Sequence, residues 1–371
     1  MSKEDLEDEG ATSFQKTYEK YRRDIIPALP SHNLPENKEE TNEEDEAYQK
    51  TYEKYRDILP TLPKEKGWLT EYLFQYQGFW LSPGAVKATM LVQHYFRAQP
   101  TDIFAATPPK SGTTWLRALI FATMNRTQFE LSTHPLLTTN PHGCFPYLET
   151  FICEDGSISN LDTFPCPRLF STHIPYSLLP AESMTGVSGC TFVYLCRNPK
   201  DVLVSKWIFI NINKSRHKQL PALSLEEAFE LFCQGTSHYG SFWEHVLGYW
   251  KASLENPKKI LFLKYEDLKN EPLVYVKRLA EFLGKPFTPE EERNGDVEEI
   301  VRLCSFENLS SLEINKHGEH RFNSEYVVNN RDFFRKGQVG DWKNYLTDEM
   351  VKRIDQITEE KLYGSGLRFG A

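Results

Sequence analysis

Residues 102–115 decide the fold, and they read Asp102-Ile103-Phe104-Ala105-Ala106-Thr107-Pro108-Pro109-Lys110-Ser111-Gly112-Thr113-Thr114-Trp115. The apolar run at the start of this stretch is typical of a buried strand, and a loop of small residues follows it. From Thr113 to Met124 the apolar residues return at helical spacing, which predicts a helix. The order of strand, loop and helix predicts the start of a βαβ unit.

Two further buried strands are predicted outward from this stretch, at residues 191–196 and 260–263, and a helical pattern follows each of them. Another helix is predicted upstream, from about Pro83 to Phe96. Strands that alternate with helices favour a parallel sheet that is covered on both faces. The sequence therefore predicts an α/β fold, with a single domain built on a central parallel sheet flanked by helices.

The loop after the first strand is a candidate anion-binding site. The backbone N–H groups of a turn that opens a helix point to one spot, and the helix dipole adds positive potential there. Lys110 adds a full charge, and Gly112 allows the backbone to approach a ligand closely. Hydroxyl donors are supplied by Ser111, Thr113 and Thr114. From these residues alone, an ordinary strand-to-helix turn is the alternative.

The loop differs from the phosphate-binding motif of nucleoside triphosphatases, G-x-x-x-x-G-K-[ST]. In that motif the lysine follows the second glycine, and a hydroxyl group binds Mg²⁺. Here Lys110 precedes Gly112, and the first glycine is missing. An enzyme that uses nucleoside triphosphates, in the manner of a kinase, is therefore an alternative that the loop disfavours.

The N-terminal part of the chain differs from the rest in charge and in repetition. Of the 371 residues, the first 60 carry 16 acidic and nine basic side chains, so they hold most of the net charge of −9. The segment at residues 15–22, QKTYEKYR, recurs at 49–56. We interpret residues 1–63 as an acidic, flexible extension with a duplicated helical segment, and residues 64–371 as the catalytic domain.

Composition excludes several classes of protein. The nearly neutral body argues against general binding of nucleic acid or of an anionic membrane surface. The chain contains no apolar run of about 18 residues, and its acidic beginning lacks the apolar core of a secretion signal. The seven cysteines form no metal-ligand spacing, and their odd number fits a reducing compartment. We expect a cytoplasmic protein.

Two more segments carry cations at positions that suit the binding of a phosphate. Arg197 stands at a predicted strand end, with Ser205 about two helical turns later, and residues 335–343 read RKGQVGDWK. Together with the loop, these segments resemble the cytosolic sulfotransferase family from about residue 64 to the C-terminus. The plant branch is favoured by three features: Asn140-Pro141-His142, Ser171-Thr172-His173-Ile174-Pro175, and Gly364-Ser365-Gly366-Leu367.

The resemblance implies a P-loop-like sulfotransferase fold and 3′-phosphoadenylyl sulfate as the co-substrate, with no metal. It assigns the 5′-phosphosulfate to Lys110, Ser111, Gly112, Thr113, Thr114 and Trp115. The 3′-phosphate is assigned to Arg197, Ser205, Arg335, Lys336 and Gly337. Contacts with the adenine are assigned to Trp115, Tyr265, Cys304, Ser305 and Phe306, although many relatives carry Thr where this chain has Cys304.

The resemblance also assigns the catalytic residues. His173 is the expected base, Lys110 is expected to neutralise the leaving phosphate, and Ser205 is expected to hold Lys110 until the acceptor binds. An imidazole of ordinary pKa, ~6.5, is mostly neutral at pH 7 and is able to accept a proton. One departure is Ser171, which stands where many animal relatives carry Lys.

The expected acceptor is a small hydroxylated plant metabolite, with a flavonol or related phenolic first, then a brassinosteroid, a hydroxyjasmonate or a desulfoglucosinolate. Aromatic candidates for its pocket, with core packing as the alternative, are Phe79, Trp80, Tyr147, Trp207, Phe209, Tyr239 and Trp243.

Asp348 and Lys352 replace the Val and Glu of the dimerisation motif that many relatives share, so we expect a monomer. A donor-binding scaffold without activity is an alternative that Lys110 and His173 disfavour.

Overall fold

The structure, a computed structural model, describes residues 50–51, 53–150, 164, 166–180, 184, 190–217, 221–322 and 326–370. Its strands, in chain order, are β1 (Lys64–Lys66), β2 (Tyr72–Tyr76), β3 (Phe79–Leu81), β4 (Ile103–Ala106), β5 (Leu169–Thr172), β6 (Thr191–Cys196), β7 (Ile260–Lys264), β8 (Glu319–Arg321) and β9 (Val327–Asn329). Its α-helices are α1 (Pro83–Tyr95), α2 (Thr113–Asn125), α3 (Pro199–His217), α4 (Leu225–Cys233), α5 (Phe242–Glu255), α6 (Tyr265–Asn270), α7 (Pro272–Phe282), α8 (Pro289–Asn294), α9 (Asp296–Leu303), α10 (Phe306–Ser311), α11 (Glu313–His317) and α12 (Asp348–Leu362).

The central sheet is parallel and has the order β5-β4-β6-β7. Every residue of β4 and of β5 is buried, as the apolar run in the sequence indicates. The Phe104 ring of β4 stacks on Phe170 of β5 and Phe192 of β6, at centroid distances of 5.4 and 5.0 Å. Helix α2 packs on β4 and α5 packs on β7. The predicted α/β fold with a central parallel sheet is confirmed, and the predicted strands and helices differ from the observed ones by a residue or so at their ends.

Parallel pairing brings the ends of the four strands to one edge of the sheet. The residues that follow these strands are Thr107, His173, Arg197 and Tyr265. In an open α/β sheet, the crevice at the carboxyl ends of the strands is the usual ligand site. The sheet therefore gathers segments that lie up to about 160 positions apart in the sequence.

A small antiparallel sheet, with the order β1-β2-β3, was not predicted from the aromatic-rich run around residues 68–80. It is joined to the body by the Trp80 N–H, which donates to the Gly240 carbonyl at 2.7 Å. A second hairpin, β8-β9, precedes the Arg335 segment. Alternation identifies a strand only over about 4–8 residues. Strands β8 and β9 have only three residues each, and the exposed and buried residues of β2 do not alternate.

The second copy of the N-terminal repeat is helical over residues 50–51 and 53–58. Thr51 is buried, and its hydroxyl lies 2.6 Å from the Tyr95 hydroxyl at the end of α1. Ile58 and Leu62 pack against the hydrophobic core. The first copy and the acidic stretch lie outside the described residues, so the division into residues 1–63 and 64–371 stays a prediction. Among the described helices, none is both long enough and apolar enough to cross a membrane.

Candidate active site

A cavity of about 790 Å³ lies at the carboxyl edge of the parallel sheet. Its lining includes every predicted donor-site and catalytic residue except Ser111. One end is formed by the loop before α2 and by cations from distant segments, and the other end is largely apolar. The parallel sheet thus brings together the three motifs that the sequence analysis identified.

The loop between β4 and α2 has a backbone shape that suits an anion. Gly112 adopts a φ of +108°, and a Cβ there would lie 2.8 Å from Tyr265 Cδ2, so this position requires glycine. Lys110 has a φ of +72°, which is rare for a residue with a side chain. Strain of this kind is found at functional sites, where the surrounding structure maintains it. The loop is therefore shaped for a ligand rather than for an ordinary turn.

Helix α2 begins at Thr113 without a side chain that caps its first turn. The first N–H groups of such a helix have no partner within the helix, and an anion satisfies them. Ser111 is fully buried and is not among the residues that line the cavity. Its Oγ has no hydrogen-bond partner among the described residues, and its role as a hydroxyl donor stays a prediction.

Lys110 is the central cation of this end of the cavity. Its ammonium lies 3.8 Å from the centre of the Phe209 ring. Loss of water, reinforced by the positive charges of Arg335 and Arg197, lowers the pKa of Lys110 from 10.5 to about 7. Cations gathered in this way repel one another, and a multiply charged anion between them removes that repulsion. The structure shows no hydrogen bond from the Lys110 ammonium to the Ser205 hydroxyl, and Ser205 as a tether of Lys110 stays a prediction.

Arg197 is held at the end of β6 with part of its guanidinium free. One Nη donates to the Gln338 carbonyl at 2.6 Å and lies 3.3 Å from Asp201 Oδ2. The guanidinium carbon Cζ lies over the Tyr265 ring, 4.5 Å from its centre. Its buried Nε has no hydrogen-bond partner among the described residues. A buried N–H without a partner is costly, and a phosphate oxygen is a suitable acceptor for it.

Two buried aspartates fix the Arg335–Gly337 segment beside α3. Asp341 accepts hydrogen bonds from Arg335 and, at 2.6 Å, from Lys336. Burial alone raises the pKa of Asp341, but the bonds from Lys336 and Arg335 lower it to about 2. Asp201 of α3 accepts from the backbone N–H of Gly340 at 2.8 Å. The cations are thus aimed into the cavity by carboxylates that sequence analysis quoted but gave no role.

The residues predicted to contact the adenine form a slot next to these cations. Trp115 and Tyr265 meet edge to face, with ring centroids 5.4 Å apart. Gly337 has a φ of +62°, and a Cβ there would collide with the Phe306 ring. Cys304, Ser305 and Phe306 line the same wall, and Ser305 also caps α10 through a bond from the Asn308 N–H at 3.1 Å. The slot is flat and aromatic, which suits a purine ring.

His173 lies at the middle of the cavity, and its position follows from strand register. Residue Ala106 of β4 pairs with Thr172 of β5, so Thr107 and His173 are neighbours where the strands end. His173 Nδ1 lies 2.7 Å from the Thr107 carbonyl oxygen. Because a carbonyl oxygen only accepts, Nδ1 bears the proton and Nε2 carries a free lone pair. The structure shows no hydrogen bond from Nε2 to any described residue.

The backbone and protonation of His173 are controlled by buried polar neighbours. Its N–H donates to Glu149 Oε1 at 2.7 Å, and its carbonyl accepts from His245 Nε2 at 2.9 Å. Burial, together with nearby charges such as Lys206, lowers the pKa of His173 to about 3, although the bond to Thr107 acts in the opposite direction. The imidazole is therefore neutral and ready to accept a proton at Nε2.

The aromatic candidates for the acceptor pocket divide into two groups. Tyr147, Phe209 and Tyr239 line the cavity, as predicted. The other four do not line it, and they are Phe79, Trp80, Trp207 and Trp243. Trp243 is buried against Phe232, and its Nε1 donates to Thr358 at 2.9 Å. Core packing accounts for this second group, which sequence composition does not distinguish from pocket residues.

Sequence analysis missed Glu149, His142 and Lys206. His142 Nε2 lies 2.8 Å from the Thr114 hydroxyl, which links the Asn140–His142 segment to the loop helix. Lys206 is almost fully buried in the cavity wall. The spacing of Lys206 in the sequence indicated a buried position, because it follows buried Val202 by four residues and precedes buried Ile210 by four. No feature of the local sequence indicated a role for Glu149. Among the described residues, no group of three potential ligands could hold a metal ion.

Known proteins resemble this chain over most of its length. A sequence profile of the sulfotransferase domain matches residues 100–366. Cytosolic sulfotransferase 17 of Arabidopsis thaliana is 50% identical over 312 residues, which cover 84% of this chain and 89% of that protein. Flavonol 3-sulfotransferase of Flaveria bidentis is 49% identical over 315 residues, covering 84% of this chain and 98% of that one.

Solved structures give the same result. A putative steroid sulphotransferase of Arabidopsis thaliana has a TM-score of 0.67 and 39% identity, covering 87% of this chain and 97% of its own. A mouse sulfotransferase in complex with PAP has a TM-score of 0.60 and 28% identity, covering 79% and 95%.

The fold and the cavity place the protein in the class of α/β sulfotransferases. The chain belongs to the plant cytosolic sulfotransferase family, and it is a transferase that uses 3′-phosphoadenylyl sulfate.

Proposed function

We propose that the protein transfers the sulfuryl group of 3′-phosphoadenylyl sulfate to a hydroxyl group of a small plant metabolite, with His173 as the base. A flavonol or related phenolic is the first acceptor class, ahead of brassinosteroids, hydroxyjasmonates and desulfoglucosinolates. The observation that supports this most is the meeting of Lys110, with its neighbouring cations, and the free Nε2 of His173 in one cavity. Flavonol 3-sulfotransferase is the relative whose name supports the phenolic class.

The residues present fit the donor nucleotide. The uncapped start of α2 and Lys110 suit its 5′-phosphosulfate, and the unpartnered Nε of Arg197 suits its 3′-phosphate. Lys336 and Ser205 line the same end of the cavity. When bound, the donor supplies a sulfur that is open to attack and a phosphate leaving group.

Two side chains act during transfer, one on the acceptor's proton and one on the negative charge of the leaving phosphate. His173 Nε2 takes the proton of the acceptor hydroxyl, so that the acceptor oxygen forms its bond to sulfur as the bond from sulfur to the phosphate oxygen breaks. Lys110 neutralises the charge that develops on that phosphate oxygen, in line with the positioning and electrostatic catalysis of related phosphoryl transfers. His173 is a weak base in the free protein, and an anion held by the neighbouring cations raises its pKa.

The function is tested with the full chain and ³⁵S-labelled donor. We expect labelled product from hydroxylated acceptors and none from the same compounds after O-methylation of every hydroxyl group. Activity should be unchanged by EDTA, because we propose that no metal takes part. Turnover of ATP that requires Mg²⁺, without transfer of label to any acceptor, would contradict the proposal and favour the kinase-like alternative.

Donor-site affinity should depend on pH through Lys110. Its pKa of about 7 in the free protein means that the ammonium form, which the anion needs, is lost as the pH rises. The dissociation constant of adenosine 3′,5′-bisphosphate should therefore rise between pH 7 and pH 9 by up to about tenfold per unit. Calorimetry in buffers of different ionisation enthalpy should show proton uptake on binding. In Lys110→Arg the guanidinium stays charged, so an unchanged slope in that variant would contradict the assignment.

We also propose that the protein is a cytoplasmic monomer. The relatives are named cytosolic sulfotransferases, which supports the location. Thr347 caps α12 and Asp348 occupies its first turn, where a negative charge interacts favourably with the helix dipole. These charges and Lys352 replace the apolar and acidic residues through which many relatives pair.

A further inference from the structure

Lys206 is a second buried lysine in the cavity, and none of the roles above accounts for it. It lies on α3, directly after Ser205, on the stripe formed with Val202 and Ile210. Only 4% of its surface is exposed, and it lines the cavity. Helix α3 thus places a positive charge inside the apolar end of the cavity. Residues four positions before and after Lys206 are apolar and buried, so the helical pattern predicts an apolar residue at this position.

The ammonium of Lys206 has only one hydrogen bond, although it has three N–H donors. It donates to the His238 carbonyl at 2.8 Å and lies 5.5 Å from the centre of the Trp68 ring. Among the described residues, no carboxylate lies within ion-pair distance of it. Burial lowers the pKa of Lys206 to about 7. A buried charge without a counterion is expensive, and a negative group that enters the cavity offsets this cost.

Lys206 lies on the acceptor side of His173. The His238 ring lies tilted against the Tyr239 ring, with centroids 4.3 Å apart, and the Tyr239 centroid lies 5.6 Å from that of His173. The charge of Lys206 contributes to the low pKa of both histidines. The neighbours of Lys206 are Trp68 and His238, and the cations predicted to bind the phosphates belong to the loop, the end of β6 and residues 335–336. Lys206 is therefore a buried cation outside the donor site, and Lys214, which is also buried and lines the cavity, is a second one.

We propose that Lys206 binds a carboxylate of the acceptor, so that among the hydroxylated acceptors of the proposed function those that also carry a carboxylate are preferred over matching neutral compounds. This inference rests on the proposed function, because it concerns the acceptor of the same reaction. The walls around Lys206 are apolar, with Trp68, Leu73, Ala88 and Ile210 along the cavity. The site therefore suits an organic acid whose carbon skeleton packs on these walls and whose hydroxyl reaches His173.

A matched pair of acceptors tests the proposal on the unaltered enzyme. The pair is 3-(4-hydroxyphenyl)propanoate and its methyl ester, which have the same reacting phenol. A hydrogen bond between charged groups contributes ~1.5–3 kcal/mol, so kcat/KM should be about 10- to 150-fold higher for the acid. Equal values for acid and ester would overturn the inference and leave the proposed function intact. Failure of transfer to every hydroxylated acceptor would instead count against the proposed function.

The variant Lys206→Met locates the effect, because it keeps the length of the side chain and removes its charge. KM for the acid should rise about 10- to 100-fold, and the values for the ester should change less than about threefold. Lys206→Arg should restore most of the preference. An equal fall in kcat for acid and ester would show instead that Lys206 acts on the reacting hydroxyl, and would overturn the proposal.

Lys214→Met is the matched control on the same helix. Lys214 also lines the cavity, but its Nζ donates to the Pro221 carbonyl at 3.0 Å and the negative charge of Glu227 acts on it. Lys214 is buried like Lys206, but its hydrogen bond to Pro221 and the charge of Glu227 leave it less in need of a further anion. Its removal should therefore leave the acid-to-ester ratio within about twofold, as for a site independent of the carboxylate. A loss equal to that of Lys206→Met would mean that general positive charge, and not Lys206, sets the preference. Binding of adenosine 3′,5′-bisphosphate by each variant verifies that it is folded.

Discussion

His173→Ala should lower kcat by about two to four orders of magnitude, which is the usual contribution of a positioned acid or base. In the structure, Nδ1 is bonded to the Thr107 carbonyl at 2.7 Å, so Nε2 has the free lone pair, and we propose that it takes the acceptor's proton. Alanine removes that atom and leaves the loop and the cations in place. The dissociation constant of adenosine 3′,5′-bisphosphate should therefore change little, and single-turnover assays separate the two effects.

His94→Ala is a matched control for this prediction. His94 lies on α1 and is exposed, with Nδ1 2.9 Å from the Met90 carbonyl, and it does not line the cavity. Its replacement should leave kcat unchanged. Partial rescue of His173→Ala by added imidazole would support a role in proton transfer. If His173→Ala retained full kcat with a good acceptor, the base would have to be another group.

Lys110→Met should lower kcat by about 100- to 1,000-fold, the loss seen when one preorganised donor to a developing charge is removed. Methionine retains the packing against Phe209, where the ammonium now lies 3.8 Å from the ring. The donor product should also bind more weakly, because Lys110 is one of four cations at that end of the cavity, with Arg197, Arg335 and Lys336. The pH slope of its affinity should disappear, since Lys110 is the group that titrates.

Lys251→Met on α5 provides the corresponding control, because Lys251 is exposed and does not line the cavity. Both kcat and the affinity for adenosine 3′,5′-bisphosphate should remain at the wild-type level in that variant. If Lys110→Met weakened binding without lowering kcat, Lys110 would serve donor binding alone, and another cation such as Arg335 would neutralise the leaving phosphate.

The candidate site was predictable where function depends on a short local pattern. The loop around Lys110 and Gly112 was recognisable in the sequence, because a strand, a left-handed glycine and an uncapped helix are all encoded within about a dozen neighbouring residues. Arg197, Tyr265 and His173 were predictable for a related reason, since each directly follows a strand of the central sheet. Ser111 was less predictable: it belongs to the motif, yet it is buried and is not among the residues that line the cavity.

Residues whose roles depend on distant neighbours were not predictable. Asp201 and Asp341 orient the phosphate-binding cations only because α3 and residues 335–342 meet in space. Four of the seven aromatic candidates do not line the cavity. The sequence shows that a residue is aromatic but not which residues surround its side chain after folding.

By itself, the sequence determined an α/β sheet, an anion-binding loop and the identity of the residues at the strand ends, since periodicity and turn chemistry are local properties. Only the tertiary structure decided which nitrogen of His173 is free, because that depends on the pairing of β4 with β5 across about 65 residues. It also decided that Lys206 is buried without a counterion among the described residues, because burial and charge pairing are set by chain segments that meet only after folding.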